Sequence, residues 1–317
     1  MKAAIGIDIG GTKISLVLGT AQGKILAHSV IPTQTGQATQ KCLNQLFEEI
    51  KKLITFSKQK KCAVRGIGVG IPGAVNTALG TVPRSPNLKG WKDYPLAANL
   101  KKKFKLPVAL GNDANVAALA EKHFGQAKKC RDFIYMTVST GVGGGLVSND
   151  KLIEGASYVG GEIGHMVIVS KGHKCNCGNH GCLEAYGSGT AIAKYAKKEL
   201  AKGRKSSLSK LKKVTAKEVG RAARKGDKLA LEAFNYAGYY LGIGLANLLN
   251  ILNPEMISLG GGVWKTAPAS FIKTIKKSCK ENAWPEAYEK VKIVKSEIKG
   301  SIGDLGALAL VFENRHR

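Results

Sequence analysis

Apolar residues dominate 3–9, break at the glycines of 10–13, and resume over 14–18. Two short apolar runs joined by turn formers predict a β-hairpin with a glycine-rich tip. A third strand is predicted over 25–27, a helix over 40–56, and strands over 64–71 and 108–110. The last of these runs into Asn112 and Asp113, ahead of a helical stretch over 115–124. From residue 133 the opening pattern returns: a strand over 133–138, a turn over 139–143 and a second strand over 144–147. Apolar positions then recur at helical spacing over 190–202, 216–224 and 228–252. A strand over 256–259 meets Gly260, Gly261 and Gly262, and helices are expected over 269–281 and 304–312. Only 202–213 reads as a polar, mobile connection.

Two hairpins of one design, far apart in the chain, point to a duplicated α/β unit with a cleft between the halves, where ligands of such folds sit. The expected division is 1–118 as an N-terminal lobe with the first hairpin and 119–300 as a C-terminal lobe with the second. A final segment, 301–317, is expected to pack back on the first lobe.

At 317 residues and 44% hydrophobic, the chain can bury a sizeable core. No apolar run approaches the roughly 20 residues that span a bilayer, and the first residues enter a strand without a leader, so a cytoplasmic protein with no membrane partner is expected. Lys and Arg number 49 against 22 Asp and Glu, a formal charge of +27. Without a nucleic-acid-binding motif beside it, that excess is read as solvated helix faces, and no specific nucleic acid is expected as partner. Of seven cysteines, Cys42, Cys62, Cys130 and Cys279 are dispersed, whereas Cys175, Cys177 and Cys182 cluster. Clustering in a chain without an export signal favours metal over disulfides.

Chemistry concentrates in four places. Asp8, Gly10, Gly11, Thr12 and Lys13 combine a carboxylate at a strand end with two glycines, a hydroxyl and a cation. Glycines admit phosphate oxygens to backbone N–H groups, Thr12 adds a donor, and Asp8 can hold Mg²⁺ through water; a plain β-turn explains the same letters. Thr140, Gly141 and Gly143 repeat the arrangement at the second tip, and Gly261 and Gly262 offer a third close approach to a nucleotide. Asp113 at a strand tip can act as a base on a substrate hydroxyl with Asn112 beside it, or can cap the following helix. His165 with Cys175, Cys177 and Cys182 forms a Cys₃His set, closed to catalysis and so structural if it holds zinc. Such a metal would pin Glu162 and Glu184 together as acceptors for sugar hydroxyls.

These residues resemble a known family. The run TGVGGGLVSNDKLIEGASYVGGEIGH, ending at His165, looks like the ROK signature, and DIGGTK, GNDAN and the cysteine cluster match as well. The resemblance, to ROK sugar kinases of the glucokinase branch, spans essentially the whole chain. It implies an α/β, two-lobed, actin-like or hexokinase-like ATPase fold with ATP and sugar in a central cleft. It further implies Asp113 as the base for the glucose 6-hydroxyl, with Asn112, Glu162, His165 and Glu184 on sugar and His165, Cys175, Cys177 and Cys182 on zinc. Gly73 falls on a loop whose backbone touches sugar, and Asn87 on a segment near the pocket. The expected activity is ATP-dependent, Mg²⁺-requiring phosphorylation of glucose. Alternatives are N-acetylmannosamine, N-acetylglucosamine, mannose or fructose as acceptor, and polyphosphate as donor. Sugar-responsive repressors of the family carry a helix-turn-helix ahead of DIGGTK, and seven residues precede Asp8 here, so regulation by that mechanism is not expected. Family members are commonly dimers or tetramers, so a homo-oligomer is expected.

Overall fold

The computed structural model describes residues 1–34, 39–84, 91 and 93–313. The chain divides into two compact units: Met1–Lys129 with Leu152–Gly160 and Glu297–Arg317, and Cys130–Lys151 with Gly161–Ser296.

In the first unit the strands are β1 (Lys2–Ile9), β2 (Lys13–Thr20), β3 (Ile25–Pro32), β4 (Ala63–Ile71), β5 (Ala74–Asn76), β6 (Thr81–Arg84) and β7 (Val108–Asn112). The helices are α1 (Thr39–Gln59), α2 (Leu96–Phe104), α3 (Asp113–Phe124) and, from the chain's end, α10 (Ile302–Glu313). The main sheet has the order β3-β2-β1-β4-β7, antiparallel through β1 and parallel beyond it. Strand periodicity sends Ile5, Ile7 and Ile9 of β1 to one face, where they are buried with Leu43, Leu46 and Ile50 of α1. The opposite face carries Ala4 and Gly6, and α10 covers it, with Leu308 packed against Ala4 and Val17.

Glycine makes this second face flat enough for α10 to touch the sheet. Gly6 and Gly68 are cross-strand partners. A Cβ on Gly6 would stand 2.9 Å from the Asp304 carbonyl, and one on Gly68 1.9 Å from that of Ala307. Gly68→Ala is therefore expected to lift α10 and to destabilise the first unit by about 3 kcal/mol. Gly70→Ala, whose Cβ meets only the Val116 side chain at 3.3 Å, should cost far less in the same urea denaturation series.

The second unit repeats the plan. Its strands are β8 (Phe133–Val138), β9 (Val142–Ser148), β10 (Lys151–Leu152), β11 (Met256–Gly260) and β12 (Lys292–Lys295), in the order β10-β9-β8-β11-β12. Again an antiparallel hairpin, β8 with β9, is flanked by parallel strands, β11 on β8 and β12 on β11. The helices are α4 (Glu184–Gly187), α5 (Gly189–Ala201), α6 (Ala216–Arg224), α7 (Lys228–Leu252), α8 (Ser270–Asn282) and α9 (Pro285–Lys290). Residues 202–213, expected as a mobile connection, are instead tied down. Leu208 is buried, Asp227 accepts hydrogen bonds from the Ser206 and Ser207 hydroxyls, and Arg204 forms a two-pronged ion pair with Glu232 at 2.6 and 2.9 Å. The lysines of 101–105 and 197–213 are exposed, as solvated faces require. No helix among the described residues is long and apolar enough to cross a membrane.

Candidate functional site

The same alternation that puts Gly6 under α10 carries Asp8 to that face. Its carboxylate lies against the first turn of α10, where a Cβ on Gly303 would stand 2.3 Å from Asp8 Oδ2. The next residue, Asp304, is 6% exposed, and its Oδ1 has no hydrogen-bond partner. Burial, followed by the like charges of Asp304 and Asp113, pushes the Asp8 carboxyl up to about 6, with Lys13 pulling the other way.

A carboxyl that holds its proton more tightly folded than unfolded destabilises the fold once ionised. For Asp8 that cost is absent below its ordinary value of 3.8, grows as pH rises to about 6, and is constant above. Asp8→Asn is accordingly expected to gain up to about 3 kcal/mol over wild type at neutral pH and nothing near pH 4, in metal-free denaturation. An equal gain at both pH values would contradict this origin.

At the first hairpin tip the Gly10 N–H donates to the Lys13 carbonyl at 2.9 Å, and the Thr33 hydroxyl to the Gly10 carbonyl at 2.7 Å. Gly11, Thr12 and Lys13 are exposed beyond this clamp. Nearby, β7 ends in extended backbone at Asn112, which caps α3: its Oδ1 accepts from the N–H groups of Ala114 and Asn115 at 2.9 and 3.2 Å. Its Nδ2 donates to the carbonyl of Gly73 at 3.0 Å. The capping role left open for Asp113 thus belongs to Asn112, and three of that amide's bonds are internal. Asp113 is the first helical residue and is exposed; its Oδ1 accepts the Ala114 N–H at 2.9 Å.

In the second unit, His165, Cys175, Cys177 and Cys182 bring one ligand atom each to within 4.8 Å of one another. Cys175 Sγ lies 3.8 Å from His165 Nδ1, and the sulfurs of Cys177 and Cys182 are 3.7 Å apart. With zinc–sulfur bonds of about 2.3 Å, the edge of a tetrahedron is about 3.8 Å, so the donor set has both the chemistry and the spacing for zinc. Burial pushes the Cys182 thiol up to about 12, while the Asn179 backbone N–H draws Cys177 down. The other imidazole nitrogen, His165 Nε2, faces Glu162 Oε2 at 3.9 Å. Glu184 opens α4 just after Cys182: Oε2 accepts the Val142 N–H at 3.1 Å, and Oε1 faces Cys175 Sγ at 3.8 Å. Its carboxylate joins the cysteine loop to the second hairpin.

That hairpin turns through Ser139, Thr140 and Gly141 and docks on the start of α5. The Ser139 carbonyl accepts the Gly189 N–H at 2.8 Å, and the Thr140 carbonyl accepts the Thr190 hydroxyl at 2.7 Å. Beside it opens a cavity of about 470 Å³, lined by Thr140, Thr190, Val214, Gly262 and Val263. Lys194, Lys197, Lys213 and Lys217 also line it, which suits an anionic ligand. Of the glycines singled out from sequence, Gly262 reaches this cavity, Gly143 sits inside β9 opposite Thr137, and Gly261, at φ 101°, packs against the Val138 carbonyl. Sequence reading missed the walls from α5 and 213–217, although Ser188 before Gly189 and Thr190 is an N-cap signal; its hydroxyl accepts the Ala191 N–H at 3.1 Å. Asn87, with Pro86, Leu88 and Gly90, lies outside the described residues. Trp91 is wholly buried in the first unit's core.

A model of the ROK family matches residues 4–314. A glucokinase from Halalkalibacterium halodurans is 35% identical over 312 residues, 97% of this chain and 94% of its own length. A xylose repressor from Caldicellulosiruptor bescii is 34% identical over 313 residues, 98% of this chain and 78% of its own. Among solved structures, a ROK family glucokinase from Streptomyces griseus in complex with glucose and AMPPNP aligns with a TM-score of 0.81 at 30% identity, covering 98% of this chain and 99% of that one. The α/β fold is that of the hexokinase-like structures, and the chain belongs to the ROK family.

Proposed function

We propose that the protein is an ATP-dependent hexokinase that phosphorylates the 6-hydroxyl of glucose. The observation that carries this reading is Asp113: an exposed carboxylate at a strand tip, directly after the Asn112 that caps the helix. Phosphoryl transfer asks little more of a protein than positioning, charge neutralisation and a base. Asp113 would accept the hydroxyl proton as the oxygen attacks the γ-phosphorus in line, and the leaving group is ADP. Asn112, whose amide keeps one N–H after binding Gly73, would orient the neighbouring hydroxyl; family resemblance supports Glu162 as a hydroxyl acceptor and His165, through Nε2–H, as a donor. The lysine-lined cavity beside Thr140 suits the nucleotide, and each glycine tip, taken by itself, offers donors to phosphate.

Asp8, half-buried beside two carboxylates with Lys13 as counter-charge, fits a place for Mg²⁺, which would neutralise phosphate charge. The Cys₃His cluster fits zinc, which would hold His165 with Nε2 turned to ligand and brace Glu184. Similarity to the glucokinases supports glucose as acceptor. Nearly equal similarity to a xylose repressor supports, as second reading, a sugar-binding regulator. Purified protein assayed with ATP or polyphosphate against glucose, mannose, fructose, N-acetylglucosamine and N-acetylmannosamine separates these. Glucose with ATP is expected to have the highest kcat/KM, by at least tenfold; sugar binding without turnover on any of them favours the regulator.

A further inference from the structure

The reading of Asp8 as a cation-holding residue leaves Asp304 unexplained. Asp304, in the first turn of α10, is 6% exposed, its Oδ1 has no hydrogen-bond partner, and the middle of α10 is apolar, with Gly306, Ala307, Leu308, Ala309, Leu310 and Val311 all buried. A helix that needed only to pack would place an apolar residue there, since a buried carboxylate oxygen without a partner is costly. Its neighbour Gly303 backs the Asp8 carboxylate so closely that a Cβ would fall 2.3 Å from Oδ2. Two carboxylates therefore share one low-dielectric corner, and the charged groups that face Asp8 are Asp304, Asp113 and Lys13. One ammonium does not neutralise three carboxylates; a hard divalent cation with oxygen preference does so.

We propose that Asp304, reaching in from the last helix, joins Asp8 in holding the divalent cation, directly or through its water, and that this seat exists before nucleotide arrives. Asp8 sits at the end of β1 and Asp304 at the start of α10, so the cation ties the hairpin carrying Gly11 and Thr12 to the last helix. The proposal rests on the kinase reading for its purpose but not for its test. Mn²⁺ serves as the probe, followed by electron paramagnetic resonance on full-length protein without nucleotide or sugar.

Wild type is expected to bind Mn²⁺ at this seat and to lose it to excess Mg²⁺. Asp304→Asn, which keeps the side chain's shape and removes its charge, should weaken Mn²⁺ binding about tenfold, and Asp8→Asn at least as much. In turnover assays Asp304→Asn should raise the Mg²⁺ concentration for half-maximal rate several-fold while leaving the glucose KM within twofold, a split that a merely structural role would not produce. If Asp304→Asn does not fold, Gly303→Ala carries the test, because its Cβ must displace the Asp8 carboxylate and weaken Mn²⁺ binding likewise. Unchanged Mn²⁺ affinity in Asp304→Asn, or no Mn²⁺ bound by wild type at millimolar concentration, overturns the proposal; a sugar kinase giving either result still stands as a kinase.

Discussion

Replacing Asp113 by Ala is expected to lower kcat by about a thousandfold, within the range that a general base contributes, and to change glucose affinity by less than threefold. Its carboxylate is exposed, and the Ala114 N–H that its Oδ1 accepts also reaches Asn112 Oδ1. Removing it leaves the Asn112 cap of α3 in place, so the loss is expected to fall on chemistry more than on stability. Asp113→Asn should be as inactive, since an amide cannot accept the proton. Asn112→Ala should behave differently. It removes the cap of α3, at a cost of about 1 kcal/mol, and releases Gly73, so melting temperature and sugar KM both suffer. Steady-state kinetics with calorimetric sugar binding and thermal melts separates the two patterns. Near-normal turnover by Asp113→Ala would remove the residue from its role.

Metal removal should have the next largest effect. Chelation, or Cys182→Ala, is expected to release one zinc per chain, to lower the melting temperature by more than 10 °C, and to weaken sugar binding tenfold or more while the affinity for nucleotide changes little. Structural zinc in small domains contributes on the order of 10 kcal/mol of apparent binding energy, of which a preformed loop would retain part. Loss of sugar affinity follows from two ties: His165 holds the cluster through Nδ1 and faces Glu162 through Nε2, and Glu184 faces Cys175 while accepting the Val142 N–H. Released, the loop would disorient the hydroxyl acceptors without touching the cavity at Thr190 and Val214. Elemental analysis of reduced protein finding no zinc would refute the assignment.

Much of the fold was legible because its signals are local. The paired glycine-tipped hairpins, the helix Ala216–Arg224 and the helix Lys228–Leu252 follow from apolar spacing and turn residues alone. What escaped reading was masked by composition. Helix Leu96–Phe104 buries only Leu96 and Leu100, and its three consecutive lysines hide that short stripe. Strand Lys292–Lys295 buries Ile293 between exposed lysines at its ends. Strand Ile25–Pro32 runs five residues past the expected end because it is an edge strand, where His28 bonds the Ser15 hydroxyl and Ser29 bonds Glu49. At the site, Asp8, Asp113 and the Cys₃His set were visible as strand-tip carboxylates and as clustered ligands. Asp304 was not, because no periodicity links residue 304 to residue 8; only α10 lying on the glycine face of β1 and β4 brings them together. Its trace in sequence is an acid in the first turn of a helix whose middle is apolar.

The most direct test of the account is to incubate purified protein with ATP, Mg²⁺ and glucose and to follow the phosphorus by ³¹P NMR. Stoichiometric appearance of a monoester on the sugar 6-oxygen, matched by ADP and absent with Asp113→Ala, is the predicted result. Intact ATP, or hydrolysis to free phosphate with no sugar ester formed, would contradict it.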